Sequence, residues 1–168
     1  MSESPPVEIL VQGAHALARR RELPEILNGL LSGITAATGA SSGAILTAAE
    51  ATSELGIVAS VGLGADAAAG LVAAVRNPSH AVARTYASAE TAFDVLPAAP
   101  GGPALRSHLP LVVGRDGAEQ VVGVLALAHD RPIEPALRPL VLGVADLAAL
   151  AIASEPLQLA DTGTGTRD

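Results

Sequence analysis

The residues best suited to chemistry lie in Leu105-Arg-Ser-His-Leu-Pro-Leu-Val112. Arg106 sits between a Pro/Gly-rich stretch and an apolar run, where a guanidinium fork can grip an anionic ligand group bidentately. Its more ordinary use is a salt bridge to an acidic neighbour such as Asp94, which would pin the loop. His108 stands at the start of a strand and can reach into a pocket from there. The commoner role is a partly exposed imidazole capping the strand or bonding a carbonyl. Tyr86 and Phe93 are the only aromatic residues, so they are the natural wall candidates for an apolar pocket. Phe93 is equally what a core would bury. Taken together, Arg106, His108, Tyr86, Phe93 and Asp94 form the candidate ligand-binding set.

Catalytic chemistry has less material. Arg106, His108 and Asp94 offer a polar cluster for an enzyme, but no Gly-x-Ser-x-Gly, His-Glu-x-x-His or P-loop pattern occurs. The chain contains no cysteine, which removes disulfides, thiol nucleophiles, Cys-ligated zinc and iron–sulfur clusters together. His15, His80 and His129 read as a surface residue, a neighbour of the capping Ser79 and a strand-end residue beside Asp130-Arg131. None is spaced for a metal. Gly62-Leu-Gly64 and Gly101-Gly102 are turns, since neither precedes Lys-Ser/Thr or completes a dinucleotide fingerprint.

Composition narrows the partners. Ten basic residues against 17 acidic ones give a formal charge of −7, and Arg19-Arg20-Arg21 is the only basic cluster. Phosphate neutralisation and base stacking both lack residues, so nucleic acid is not an expected partner. The polar, acidic N-terminus has no signal-peptide core, and Asp146 interrupts the most apolar run, Leu140–Ile152. No membrane contact and a cytoplasmic location are expected. At 168 residues with 49% apolar content, one domain with a real core is expected over 7–154. Residues 1–6 read as a disordered N-terminus and 155–168 as a flexible tail beyond Pro156.

The elements that must position these side chains follow from periodicity. Helical spacing runs from Val7 to about Arg20, and again over Leu23–Thr38, with Pro24 in its first turn and Gly39 at its end. Strands are expected at Gly43–Ala48 and Leu55–Ser60, joined by a polar turn over Glu50–Glu54. An alanine-rich helix follows over Asp66–Arg76, stopped by Asn77-Pro78, and a short helix capped by Ser79 runs to about Tyr86. A third strand at Thr91–Leu96 leads into the irregular Pro97–Pro103 loop. Leu109–Val113 and Gln120–Ala128 form a hairpin about Arg115-Asp116-Gly117. The last helix starts between Pro135 and Pro139 and ends near Ser154 before Pro156. One apolar stripe of this helix includes Leu137, Leu140, Val141, Val144, Leu147, Ala148 and Ala151. A second comprises Leu142, Ala145, Ala149 and Ile152, so the helix needs burial on two sides. The fold class is α+β, an α/β/α sandwich: a central antiparallel sheet, terminal helices on one face, and excursion helices and loops over the other.

Four segments in this order resemble the GAF domain family over about Leu17–Ala153. They are the helix Leu23–Thr38 running through Gly39-Ala-Ser-Ser-Gly43 into a strand, and Ala59-Ser-Val-Gly-Leu-Gly64. The third is Leu105–Val112, and the fourth is Val122-Gly-Val-Leu-Ala-Leu127 leading to Leu147–Ile152. The resemblance implies a sheet of five or six antiparallel strands and a ligand pocket between sheet and excursion helices. It also implies dimerisation through the terminal helices, for which Leu10, Leu17, Leu142, Ala149 and Ile152 are the candidates. Bilin-binding members and the free methionine sulfoxide reductases work through cysteine, which is absent. The Asn-Lys-Phe-Asp-Glu signature of cyclic-nucleotide binders is missing, with Phe93-Asp94 a two-residue echo. In haem-binding relatives the proximal His precedes the Pro of a segment like Pro103–His108. Gly101 or Gly102 stands there in this chain, so neither haem nor bilin is expected as a cofactor.

The expected function is a non-catalytic sensory module, homodimeric, binding a small apolar or weakly anionic molecule and acting on a separate signalling partner in trans. The alternative is a ligand-free dimerisation or interaction scaffold with a collapsed pocket.

Overall fold

A computed structural model describes residues 7–49, 52–97 and 104–165, with side chains as far as Ser154. The disordered terminus expected over 1–6, parts of the Glu50–Glu54 turn and the Pro97–Pro103 loop, and the last three residues lie outside that range. Helix α1 (Val7–Ala18) and helix α2 (Leu23–Thr38) lead into strands β1 (Ser42–Ala48) and β2 (Leu55–Val61). The excursion holds α3 (Ala65–Ala74) and α4 (Ala81–Ser88). Then come β3 (Ala92–Val95), β4 (Leu105–Arg115), β5 (Ala118–His129), a 3-10 turn at Pro135–Leu137, and α5 (Arg138–Gly165).

The strands form one antiparallel sheet in the order β2-β1-β5-β4-β3. The β4–β5 hairpin closes through Asp116 (φ 54°) and Gly117 (φ 79°), with Arg115 opposite Ala118. Both turn residues are left-handed, the requirement that selects Asp-Gly for a two-residue hairpin.

Side-chain alternation divides the sheet into two faces. Ile45, Leu109, Leu125 and Leu127 face α2 and α5 and build the larger core with Leu27, Leu31, Ile34, Val141, Val144 and Ala148. Ala44, Leu46 and Val124 face the other way, in a smaller cluster with Val75 and Val82. The α/β/α layering expected from the sequence is therefore present.

Helix α5 departs from expectation at its end. It runs to Gly165 rather than stopping near Ser154, so most of the expected tail is helical. Over Pro135–Ser154 this helix is long and apolar enough to cross a membrane, with a mean hydropathy of 1.8. Its inner side is core: Val141, Val144, Ala145, Ala148, Ala149 and Ala151 are buried. That burial corrects the dimer-interface assignment of Ala149, whose side chain is enclosed within its own chain. Leu10 is half-buried and packs at Gly143 of α5, and Leu17 and Ile152 are half-buried against the same core. Of the five interface candidates only Leu142 is exposed, and Leu150 joins it on the outer side of α5.

Candidate functional site

Residues two apart on a strand share a face, and on β4 that places Arg106 and His108 on the excursion side, with Ser107 and Leu109 on the core side. A cavity of about 560 Å³ lies there, floored by the ends of β1, β4 and β5 and roofed by α3 and the start of α4. Its polar lining comes from Ser41, Ser42, His80, Arg106 and His108, and the apolar part from alanines with Leu63, Leu71 and Val82. Among the described residues no Asp or Glu and no Phe, Tyr or Trp lines it.

The cavity exists because α3 stands off the sheet. Ala67, Gly70, Leu71 and Ala74 face the opening, and no residue of this apolar helix is buried. Small side chains at three of those four positions, Ala67, Gly70 and Ala74, leave space that larger ones would fill.

His108 is 4% exposed, and no described residue hydrogen-bonds its ring. Burial, followed by the positive fields of His80, Arg106, Arg84 and His129, lowers its pKa from 6.5 to about 4. The expectation of a partly exposed strand cap is thus corrected: the imidazole is enclosed and neutral. Arg106 Nη1 is buried with no hydrogen-bond partner among the described residues. A buried guanidinium nitrogen without an acceptor is costly, so it marks a place where an acceptor belongs.

His80 was read as a neighbour of a capping Ser79, but it is itself the N-cap of α4. Its Nδ1 accepts the Val82 N–H at 3.2 Å. That bond requires an unprotonated Nδ1, which leaves the ring proton on Nε2. Burial first, then Arg106 and Arg84, lowers the His80 pKa and favours the same neutral form.

The other three candidates stand elsewhere. Asp94 does not bridge to Arg106. It lies on the core side, where Oδ2 takes a hydrogen bond from Arg138 Nη2 at 3.0 Å and Oδ1 accepts the Ile133 N–H at 2.9 Å. Phe93 packs against the larger core beneath Arg138, whose guanidinium carbon is 4.8 Å from the ring centroid. Tyr86 belongs to the smaller cluster and lines a separate cavity of about 310 Å³ with Leu55 and Val75. The sequence showed no reason to place the last two in different layers, because both are simply large and apolar.

Ser107, His129 and Asp94 converge on the core side. Ser107 Oγ and His129 Nε2 are 2.8 Å apart, and His129 Nδ1 is 2.7 Å from the Arg131 carbonyl. A carbonyl only accepts, so Nδ1 carries the proton and Ser107 donates to Nε2. The Asp94 N–H donates in turn to Ser107 Oγ at 3.1 Å. Ser107 is 0% and His129 1% exposed, so this network is closed to any substrate and ties β3, β4 and β5 together. Among the described residues no group of three or more His, Cys, Asp or Glu could hold a metal ion.

Comparison with known proteins agrees with this architecture. The sequence profile of the GAF domain matches residues 22–154, and no curated protein matches the sequence significantly. The GAF domain of a phosphoenolpyruvate-protein phosphotransferase from Coxiella burnetii superposes with TM-score 0.71 at 14% identity, over 92% of this chain and 96% of that one. Free methionine-R-sulfoxide reductase from Neisseria meningitidis, in complex with its substrate, gives 0.65 at 14% identity over 94% and 96%. A domain of a putative two-component sensor histidine kinase from Sinorhizobium meliloti 1021 gives 0.58 at 20% identity over 82% and 95%. At these identities the likeness is one of fold. With most of its length matched by the profile and every layer of the fold in place, the chain belongs to the GAF domain family.

Proposed function

We propose that this protein is a non-catalytic sensory module which binds a small molecule in the cavity between the sheet and α3, and signals to a separate partner. The observation that carries this reading is the roof. Helix α3 has no fully buried residue and touches the smaller cluster through the half-buried Leu71, so it gains contacts when the space beneath it fills.

Catalysis has little support. The Ser107–His129 pair is sealed, and the pocket's imidazoles lack a nearby carboxylate partner. The reductase among the similar folds is an enzyme, but the chemistry implied by that resemblance needs cysteine, and the chain has none. Haem and bilin are left out of the reading: the bilin linkage also needs cysteine, and no Phe, Tyr or Trp lines the cavity among the described residues. A Soret band in the purified protein would reverse that for haem.

Dimerisation belongs to the same proposal. Val7 and Val11 on α1 and Leu142 and Leu150 on α5 are exposed apolar side chains on neighbouring helices, a face suited to a second copy. A cytoplasmic setting is part of the reading.

Denaturing the purified protein and identifying released compounds by mass spectrometry, beside a thermal-shift screen of metabolites, tests the sensor reading. A retained compound or a clear upward shift is expected. Neither would leave the ligand-free scaffold as the better account.

A further inference from the structure

We infer that the cavity takes a small organic anion, its oxyanion head held by Arg106 between His80 and His108 and its aliphatic body laid against the alanines of the sheet and Leu71 of α3, and that binding brings a proton with it. This rests on the small-molecule reading above and adds the ligand's class and its pH linkage.

Three observations converge on the anion. Arg106 Nη1 is buried without an acceptor, so the site holds a positive charge that no described residue neutralises. His108 is enclosed and unbonded beside it. His80 carries its proton on Nε2 because Nδ1 is engaged by the Val82 N–H, so it meets the cavity as a hydrogen-bond donor. The lining has no carboxylate to compete for these donors. Helix α3 adds a fourth contribution. It starts at the rim from Gly64 with no side-chain cap, leaving first-turn N–H groups beside the opening, with Asp66 in the same turn offsetting part of the positive end of its dipole.

The rest of the lining defines the body. Ala44, Ala126, Leu71 and Val82 present aliphatic surface, while both aromatic residues lie elsewhere. A headgroup on a short alkyl or branched chain satisfies both ends.

The proton follows from charge. The groups on His108's side of the sheet are His80 and Arg84 of α4 and its strand neighbour Arg106, while His129 of β5 acts through the sheet from the core side. Glu90, beyond α4, lines a second cavity that His108 also borders. Burial first, and then the Arg106 and Arg84 charges, keep His108 neutral in the empty site. An anion at Arg106 offsets that guanidinium's field and so favours imidazolium. His80 cannot take this role without giving up the α4 cap, which leaves His108 as the proton acceptor.

Calorimetric titration tests the proposal with hexanoate, hexanesulfonate, inorganic phosphate and the neutral hexanamide. Hexanoate and hexanesulfonate are expected to bind at least about tenfold more tightly than hexanamide. Phosphate alone is expected to bind more weakly than either, because it lacks the body. Hexanesulfonate, ionised at every pH used, is expected to bind about tenfold more tightly at pH 5.5 than at pH 7.5, with proton uptake visible from two buffers of different ionisation heat. Arg106→Gln should remove the preference for anions and Arg106→Lys should restore part of it. His108→Gln should lose the tighter binding at pH 5.5 and so abolish the pH dependence, and His80→Asn, which preserves the cap, should weaken binding at all pH values.

Equal affinity for hexanamide and hexanoate would overturn the anion while leaving the small-molecule reading intact. Failure of every probe would also overturn it, and the released-compound assay then decides the sensor reading independently. Anion binding without pH dependence would overturn the proton linkage alone.

Discussion

Arg138 Nη2 lies 3.0 Å from Asp94 Oδ2, and this pair holds the carboxylate on the core side of the sheet while Arg106 stands on the other. Asp94 sits at φ 57° and also accepts the Ile133 N–H, so it fastens β3 to the segment entering α5. Asp94→Ala removes both acceptors and puts an ill-suited residue in a left-handed conformation, and should cost about 2 kcal/mol in urea denaturation. Asp94→Asn keeps one acceptor and tolerates the backbone, so its loss should be about half. Neither should alter small-molecule binding.

Ser107→Ala should destabilise by about 1–3 kcal/mol, because it strips His129 Nε2 of its donor and the Asp94 N–H of its acceptor inside the core. The same burial predicts that a serine-reactive fluorophosphonate leaves Ser107 unlabelled. Labelling detected by mass spectrometry of the native protein would contradict the structural role of this network.

His108 predicts a specific pH dependence of stability. Its pKa is about 4 folded, against 6.5 for an ordinary imidazole. Between those values the unfolded chain binds a proton that the folded protein refuses. Stability is therefore full above about pH 6.5 and falls as the pH drops towards 4, by about 3 kcal/mol for this one group. Chemical denaturation across that window should show the fall in the wild type and a shallower one in His108→Gln. Parallel curves would show that the imidazole is not held neutral.

The outer side of α5 can be tested separately. Leu142 and Leu150 are 43% and 56% exposed, so Leu142→Glu with Leu150→Glu should convert a dimer to a folded monomer by light scattering. Ala149→Glu should instead unfold the protein, since that position is enclosed by its own chain. A dimer that survives the double substitution would place the interface elsewhere.

Much of the fold was legible because its signals are local. The α2 bounds follow from apolar spacing between Pro24 and Gly39, and the β4–β5 turn follows from Asp116-Gly117, where two consecutive left-handed residues are needed. Errors gathered where a local signal competes with its surroundings. Ser79 is a better N-cap by type than His80, but the chain enters α4 one residue later, and His80 becomes the cap. Pro156 reads as a stop, yet α5 passes through it.

The sequence by itself determined the layers, the hairpin, the family and the absence of thiol chemistry, because periodicity, turn residues and composition act over a few neighbouring positions. It also named Arg106 and His108. Only the tertiary structure decided what those residues face. The partner of Asp94 is Arg138, 44 positions away, and His80 meets Arg106 and His108 only when α4 folds across the sheet. Such pairings depend on strand register and on which face a helix covers, and neither is written in the residues that meet. With Asp94 taken by Arg138, Arg106 Nη1 is left buried without a partner among the described residues.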